Sequence, residues 1–419
     1  MVSFGACITA GLSISYWLVY GFSFAQPSTT SWRAPIGFSL FFIVPPLIMM
    51  FLMPESPRWL MLQAREQEAM STLSALNELP EDSEDIRREI LQIKNAVVYM
   101  ASQPASQIFT NGEYRYLQRT LLAVMLQIMQ QFTGVNLFFQ YLGAMFVNQL
   151  RFAPRLAMLL AACCATEFFL ASLVAVIGID RFWGRRTLTM FGATGMCLSM
   201  IMLTIFNWLG NTERLASGYY VMAAFLFLYN SFFAIGWQGM SWMWAVELTP
   251  LSIRGPANAI ATAASWLSSF VVVICTPVMF TNLTWRTYIV FAAFNAAWVP
   301  IIYLLYPETG GRSLEEVDIL FQGAHALGNP WTKVVQVAKC EPHWYDKNGD
   351  PTDSSSSGIG GEKDTEKGTG SEAGLYSSPD TWRSPVEGSM SRDESADSGF
   401  GAAPAPVISR HSSRPATRD

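Results

Sequence analysis

Five amides and a glycine fall close together in one apolar stretch: Gln127, Gln130, Gln131, Gly134, Asn136 and Gln140. Amides so placed must find polar partners, because an unmatched polar group in apolar surroundings is costly. Separations of mostly three or four residues put them on one side of a helix. That side can face a wet cavity holding a polar ligand, or it can hydrogen-bond neighbouring helices together. Gly134 suggests a break or close approach that opens backbone carbonyls to a ligand. A second candidate is Glu167, an acid in the middle of another apolar stretch. Three roles are open to it: coupling protons, binding a ligand hydroxyl, or pairing with another helix. Enzymatic chemistry has little to work with. The histidines (His325, His343, His411) all come late in the chain, and the six cysteines have no metal-ligand spacing. There is no phosphate loop or nucleophile elbow, so the expectation is a non-enzyme without cofactor or metal.

The elements that position these residues are membrane helices. Of 419 residues, 51% are hydrophobic and 14% charged, and the charges leave long stretches empty, which is a membrane profile. Apolar runs able to cross a hydrocarbon core of about 30 Å stand near 5–25, 34–53, 120–146, 156–179, 188–209, 218–245, 257–280 and 287–306. They are apolar on all sides, and in lipid a helix satisfies its own backbone. The fold class is therefore all-α integral membrane, with about eight spans. The first run lacks a basic leader region and reads as a span, not a signal peptide. Pro45-Pro46 should kink the second.

An internal repeat organises the spans. Pro54-Glu55-Ser56-Pro57-Arg58 follows Trp32-Arg33, and Pro307-Glu308-Thr309-Gly310-Gly311-Arg312 follows Trp285-Arg286, each Pro-Glu standing 22 residues after its Trp (32 to 54, 285 to 307). Six apolar runs separate the two repeat ends, but only two precede the first. Two equal halves would require four more spans ahead of residue 1. Arginines and lysines between the second and third spans, and Arg181, Arg185 and Arg186 after the fourth, mark those loops as cytoplasmic. Both termini then fall on the cytoplasmic side. Net charge is −5 and implies no nucleic-acid partner.

Gln130-Gln131-Phe132-Thr133-Gly134-Val135-Asn136, Asp180-Arg181-Phe182-Trp183-Gly184-Arg185-Arg186 and the two Pro-Glu motifs together resemble the sugar porter family of the major facilitator superfamily, over about residues 5–321. The likeness is strongest to fungal hexose and polyol transporters. It implies a major facilitator fold of two six-helix bundles, with the spans of this chain equivalent to helices five to twelve. It also implies transport of a hexose or a polyol such as glycerol by alternating access, with proton symport, in the plasma membrane. The partners implied are the lipid bilayer, a sugar or polyol, and protons. Without a full first bundle, normal alternating access is not expected of these helices alone. A non-transporting sugar sensor or a degenerate remnant is the alternative.

Carried over, the resemblance puts Gln130, Gln131 and Asn136 against sugar hydroxyls. Amides suit that role, offering donors and an acceptor without the desolvation cost of a charge. Trp242 would lie along the sugar's apolar face. Gln238 and Gly239 replace a usual Gly-Pro, which leaves the bend there open while adding an amide. Ser265, Trp266 and Ser269 stand in a stretch where the family often reads Asn-Trp-x-x-Asn, so hydroxyls replace amides. Phe168 and Phe169, with Glu167, occupy a region where many relatives carry an asparagine.

A separate cytoplasmic charge cluster is implied for Asp180, Arg185, Arg186, Glu247 and Arg254, with Glu55, Arg58, Glu308 and Arg312 nearby. Ion pairs there can latch one conformation and part in the other. Five segments result: 1–53, two helices of the first bundle; 54–116, a cytoplasmic helical linker with helices over 66–79 and 83–101 and Ser83 as a cap; 117–306, the six-helix bundle; 307–345, a cytoplasmic motif; and 346–419, a Ser/Gly/Asp-rich tail expected to be disordered.

Overall fold

The computed structural model describes residues 2–102, 104–179, 183–212, 216–328 and 330–344, which contain helices and one isolated bridge between Ile179 and Trp183. The expected disordered tail lies outside these residues, and so does Asp180. Among the described residues, eight helical segments are long and apolar enough to cross a membrane. The first two are α1 (Val2–Ser23) and α2 (Thr30–Leu52). The third crossing joins α6 (Tyr116–Gln130) to α7 (Asn136–Asn148) through a single π-helical turn, Gln131–Val135. α8 (Pro154–Gly178) and α9 (Arg185–Thr212) follow. The sixth crossing is again two pieces, α10 (Ala216–Gly236) and α11 (Met240–Leu248). α12 (Arg254–Asn282) and α13 (Thr287–Leu305) complete the set. α2 runs through Pro35, Pro45 and Pro46 as one helix.

Small residues decide where helices meet. Gly192 of α9 and Gly236 of α10 are in backbone contact, since a Cβ on Gly236 would stand 2.7 Å from the Gly192 Cα. That contact lets α10 lie along α9 as membrane helices with small residues do. α1 docks on α8 through hydroxyls: Thr9 Oγ1 and Ser172 Oγ are 3.0 Å apart, and Ser13 Oγ and Thr166 Oγ1 2.9 Å. The Trp17 indole N–H also donates to Thr166. Thr9 and Ser13 are buried there. α2 rests on α1 and has no buried residue.

Between α2 and α6 lie α3 (Pro57–Leu62), α4 (Glu66–Asn77) and α5 (Glu84–Ser102), around a small core of Leu60, Ala69, Leu73, Ile86 and Ile90. Ser83 Oγ accepts from the Ile86 amide, the capping contact its position suggests. Sequence periodicity misses α3, a short helix of six residues opened by Ser56, which caps the Trp59 amide. After α13 come α14 (Leu314–Ala326), opened by a Ser313–Glu316 capping box, and α15 (Pro330–Cys340).

Candidate functional site

The π turn gives the amide motif its geometry. Five residues along an α-helix advance about 140° beyond a full turn, which would turn Gln131 and Asn136 away from each other. A π turn closes i to i+5, and here Asn136 Nδ2 donates to Gln131 Oε1 at 2.9 Å. Gln131 Nε2 in turn donates to Ser265 Oγ of α12 at 2.9 Å. The wide turn is possible because Gly134 has φ +97°, a conformation that suits glycine. A Cβ there would also stand 2.9 Å from the Phe291 ring and 3.1 Å from the Met200 methyl. The Thr133 carbonyl at the turn accepts from Tyr229 at 3.0 Å and from Asn295 at 2.9 Å. Tyr229 and Asn295, which the sequence motifs do not mark, therefore hold the turn open.

The expected single amide side is divided. Gln130 turns to the α10–α11 break, donating to the Trp237 carbonyl at 3.3 Å while its Oε1 is buried without a partner. Gln127 is buried with its Oε1 likewise unpartnered, whereas Gln140 is exposed. Gln130 and Gln131 are consecutive, so their side chains leave the helix about 100° apart, and the π turn returns only Asn136 to the Gln131 side. The bend left open at Gln238-Gly239 is present without a proline. The amides of Trp237 and Gln238 both reach back to the Phe233 carbonyl, and the Trp237 indole is tied to the Thr189 carbonyl. Gln238 lies against Gly5 of α1, and Gly239 against Val2.

The other candidates separate by burial. Ser265 is buried on the amide side of α12, and Ser269, one turn on, is partly buried. Trp266 is 70% exposed, so the structure does not bring it to the amides. Consecutive residues on a helix point about 100° apart. Trp242 is exposed on α11. Phe168 is packed between Phe139 and Phe233. Glu167 is hydrogen-bonded to Ser231 of α10 and not to the amides.

At the start of α9 the charged residues form a closed clamp. Arg185 meets Glu247 of α11 through Nη2 at 2.9 Å and Nε at 3.2 Å. Thr309 donates to the other Glu247 oxygen at 2.5 Å. Glu308 accepts the backbone amides of Arg185 and Arg186 at 2.8 and 3.1 Å and that of Gly310 at 3.0 Å. A carboxylate at a helix N-terminus is favourably placed in the helix field. The Arg186 guanidinium donates to the Tyr303 carbonyl. Gly184 is required here, since a Cβ would collide with the Glu308 carboxylate. Two expected members serve elsewhere. Arg254 bonds the Thr249 carbonyl, and Arg312 bonds the carbonyls of Ala338 and Glu341, fastening α15. Glu55 and Arg58 are exposed, and among the described residues neither forms an ion pair.

Sequence motifs also miss a second ionic contact. Arg119, fully buried at the start of α6, pairs with Asp318 of α14 at 2.7 Å, donates to the Leu248 carbonyl at 2.6 Å and stacks on Phe321. Burial pushes the Asp318 carboxyl above the usual aspartate range while Arg119 opposes the shift. Only the unusual burial of an arginine signals this pair, and sequence spacing across so many residues does not.

The family model described as "Sugar (and other) transporter" matches residues 1–321. The chain belongs to the sugar porter family of the major facilitator superfamily. Sugar transporter STL1 of Saccharomyces cerevisiae is 33% identical over 338 residues, covering 80% of this chain and 58% of the relative. MFS-type transporter oryC of Aspergillus oryzae is 36% identical over 326 residues, covering 76% and 60%. The chain thus spans less than two thirds of the length of these relatives. Among solved structures, the proton:xylose symporter XylE of E. coli, bound to 6-bromo-6-deoxy-D-glucose, superposes with a TM-score of 0.60 at 25% identity, covering 76% of this chain and 66% of its own. The protein is accordingly a multi-pass membrane protein of a transporter family.

Proposed function

We propose that this chain forms the substrate-binding bundle of a proton-coupled carrier for a hexose or related sugar, working by alternating access in the plasma membrane with both termini cytoplasmic. The observation that carries the reading is the Gln131–Asn136–Ser265 network at the π turn. Its members are neutral, so each can exchange its present partner for a ligand hydroxyl without exposing an unpaired charge. Gln130, with one buried acceptor unpartnered, supplies a further site at the α10–α11 break. The symport reading is supported by the resemblance to a proton:xylose symporter, and the sidedness by the arginines of the α9 start and of the 54–116 segment.

Alternating access needs a second body to rock against. α2 has no buried residue, and the face of α12 carrying Trp266, Leu267, Phe270, Ile274 and Val278 is exposed, so this arrangement leaves apolar surface for lipid or for further helices. The test is uptake of radiolabelled glucose, xylose and glycerol in cells lacking their own transporters, with membrane insertion verified. The chain is compared with the same chain extended by upstream in-frame coding sequence. Uptake by the extended form that disappears with Gln131→Ala supports transport through this site. Uptake by the shorter form alone removes the need for a second body. Insertion of both without uptake favours a non-transporting sensor or remnant.

A further inference from the structure

Glu167 sits in the middle of α8, thirteen residues after Pro154 and eleven before Gly178. α1, α7 and α10 pack on α8, and none of the three contains a lysine, arginine or histidine. The one cation of α8 itself is Arg155, twelve residues away and so about 18 Å along the axis. The other titratable side chains on these four helices are the thiols of Cys7, Cys163 and Cys164 and the phenols of Tyr16, Tyr20, Tyr141, Tyr219, Tyr220 and Tyr229. Tyr16, Tyr141 and Tyr229 donate to the carbonyls of Phe139, Val273 and Thr133. Cys164 accepts from the Asn230 amide at 2.9 Å. No positive group therefore faces the carboxyl, and a carboxylate without a counter-ion at this depth is strongly disfavoured against the neutral acid.

The hydrogen bonds around Glu167 have two consistent patterns, distinguished by one proton. Oε1 meets the Ser231 hydroxyl, while Oε2 is buried without a partner. The same Ser231 oxygen stands 3.3 Å from the Phe227 carbonyl one turn back. A hydroxyl has a single proton to give. With Glu167 protonated, the chain runs from the carboxyl O–H to Ser231 and on to Phe227. With Glu167 ionised, Ser231 turns to the carboxylate and the Phe227 carbonyl loses its donor. Ser231 lies five residues before Gly236, where α10 breaks from α11, so movement of α10 at that break opens or closes the α8–α10 seam.

We propose that Glu167 is the proton-binding site of this chain, holding its proton while the α8–α10 seam is closed and exchanging it with water when the seam opens. The O–H bond breaks toward water on one side of the membrane, and a new one forms from water on the other. The assignment of that proton to transport rests on the sugar-carrier reading; the proton site itself does not.

The test uses the full chain in lipid nanodiscs. Infrared spectra across a pH titration should contain a protonated-carboxyl band at neutral pH that is absent from Glu167→Gln and shifted in Ser231→Ala, which keeps the acid and loses only its partner. Superimposable wild-type and Glu167→Gln spectra would overturn the proposal, as would a Glu167 already ionised at neutral pH. Titrating glucose, xylose and glycerol then reads coupling. One linked proton changes apparent affinity about tenfold per pH unit along the titrating limb, in wild type and not in Glu167→Gln. Sugar binding that is equally pH-independent in both refutes the coupling role. A Glu167 band in a protein that binds none of the three sugars supports the proton site and counts against the carrier reading instead.

Discussion

The polar cluster at the π turn and the charge clamp at the start of α9 use opposite chemistry for different ends. The first is built from neutral amides and a hydroxyl, with acceptors on Gln127 and Gln130 left unpartnered. In the second, Glu308 alone accepts three backbone amides, and Glu247 is shared by Arg185 and Thr309. Neutral groups with spare capacity can trade partners at small cost, whereas a buried ion that loses its partner leaves an uncompensated charge. The difference suits the π turn to the recognition role proposed for it and the clamp to holding.

Substitutions test that division, beginning with the largest effect. Arg185→Ala strips Glu247 of its cation, and loss of a buried partner of this kind costs about 3 kcal/mol; a lowered midpoint in thermal or denaturant unfolding checks it. If the protein tolerates this change without loss of stability, the clamp is not a holding device. Gly134→Ala combines left-handed backbone strain with crowding against Phe291, a cost of about 2 kcal/mol, and should lower the yield of folded protein. Gln131→Ala removes one donor and one acceptor from the network, so sugar affinity should fall about tenfold, equivalent to roughly 1.4 kcal/mol, while the unfolding midpoint moves little. Glu55→Gln, on an exposed carboxylate with no ion pair among the described residues, should stay within about 0.5 kcal/mol in stability. A larger effect would show that the first Pro-Glu motif engages groups that the clamp's own residues do not.

Burial does not follow apolarity across the eight spans, and this decided what could be read beforehand. The crossing with the lowest mean hydropathy, Tyr116–Asn148, is the most deeply buried, while the very apolar α2 buries nothing. Lipid solvates apolar side chains as well as a protein interior does, so polar and small residues mark where helices meet. The number of spans and the neighbourhood of Gln131, Asn136 and Ser265 were therefore legible. The pairing of Asn136 with Gln131 was not, because the π turn at Gly134 changes the helical phase and periodicity carries no mark of it. Arg254 and Arg312 are placed at the clamp by the family resemblance, which carries no sign that their guanidinium groups end on backbone carbonyls. Neither Tyr229 nor Asn295 could be singled out, since each acts through one carbonyl brought close only by folding.

The most direct test of the central claim is equilibrium binding of radiolabelled glucose, xylose and glycerol to the purified chain in nanodiscs, with Gln131→Ala and Trp266→Ala beside the wild type. Saturable binding of at least one of them, weakened about tenfold by Gln131→Ala and changed less than about twofold by Trp266→Ala, is the result expected if the π turn is the recognition site. Binding that is indifferent to Gln131, or lost only with the outward-pointing Trp266, would contradict it.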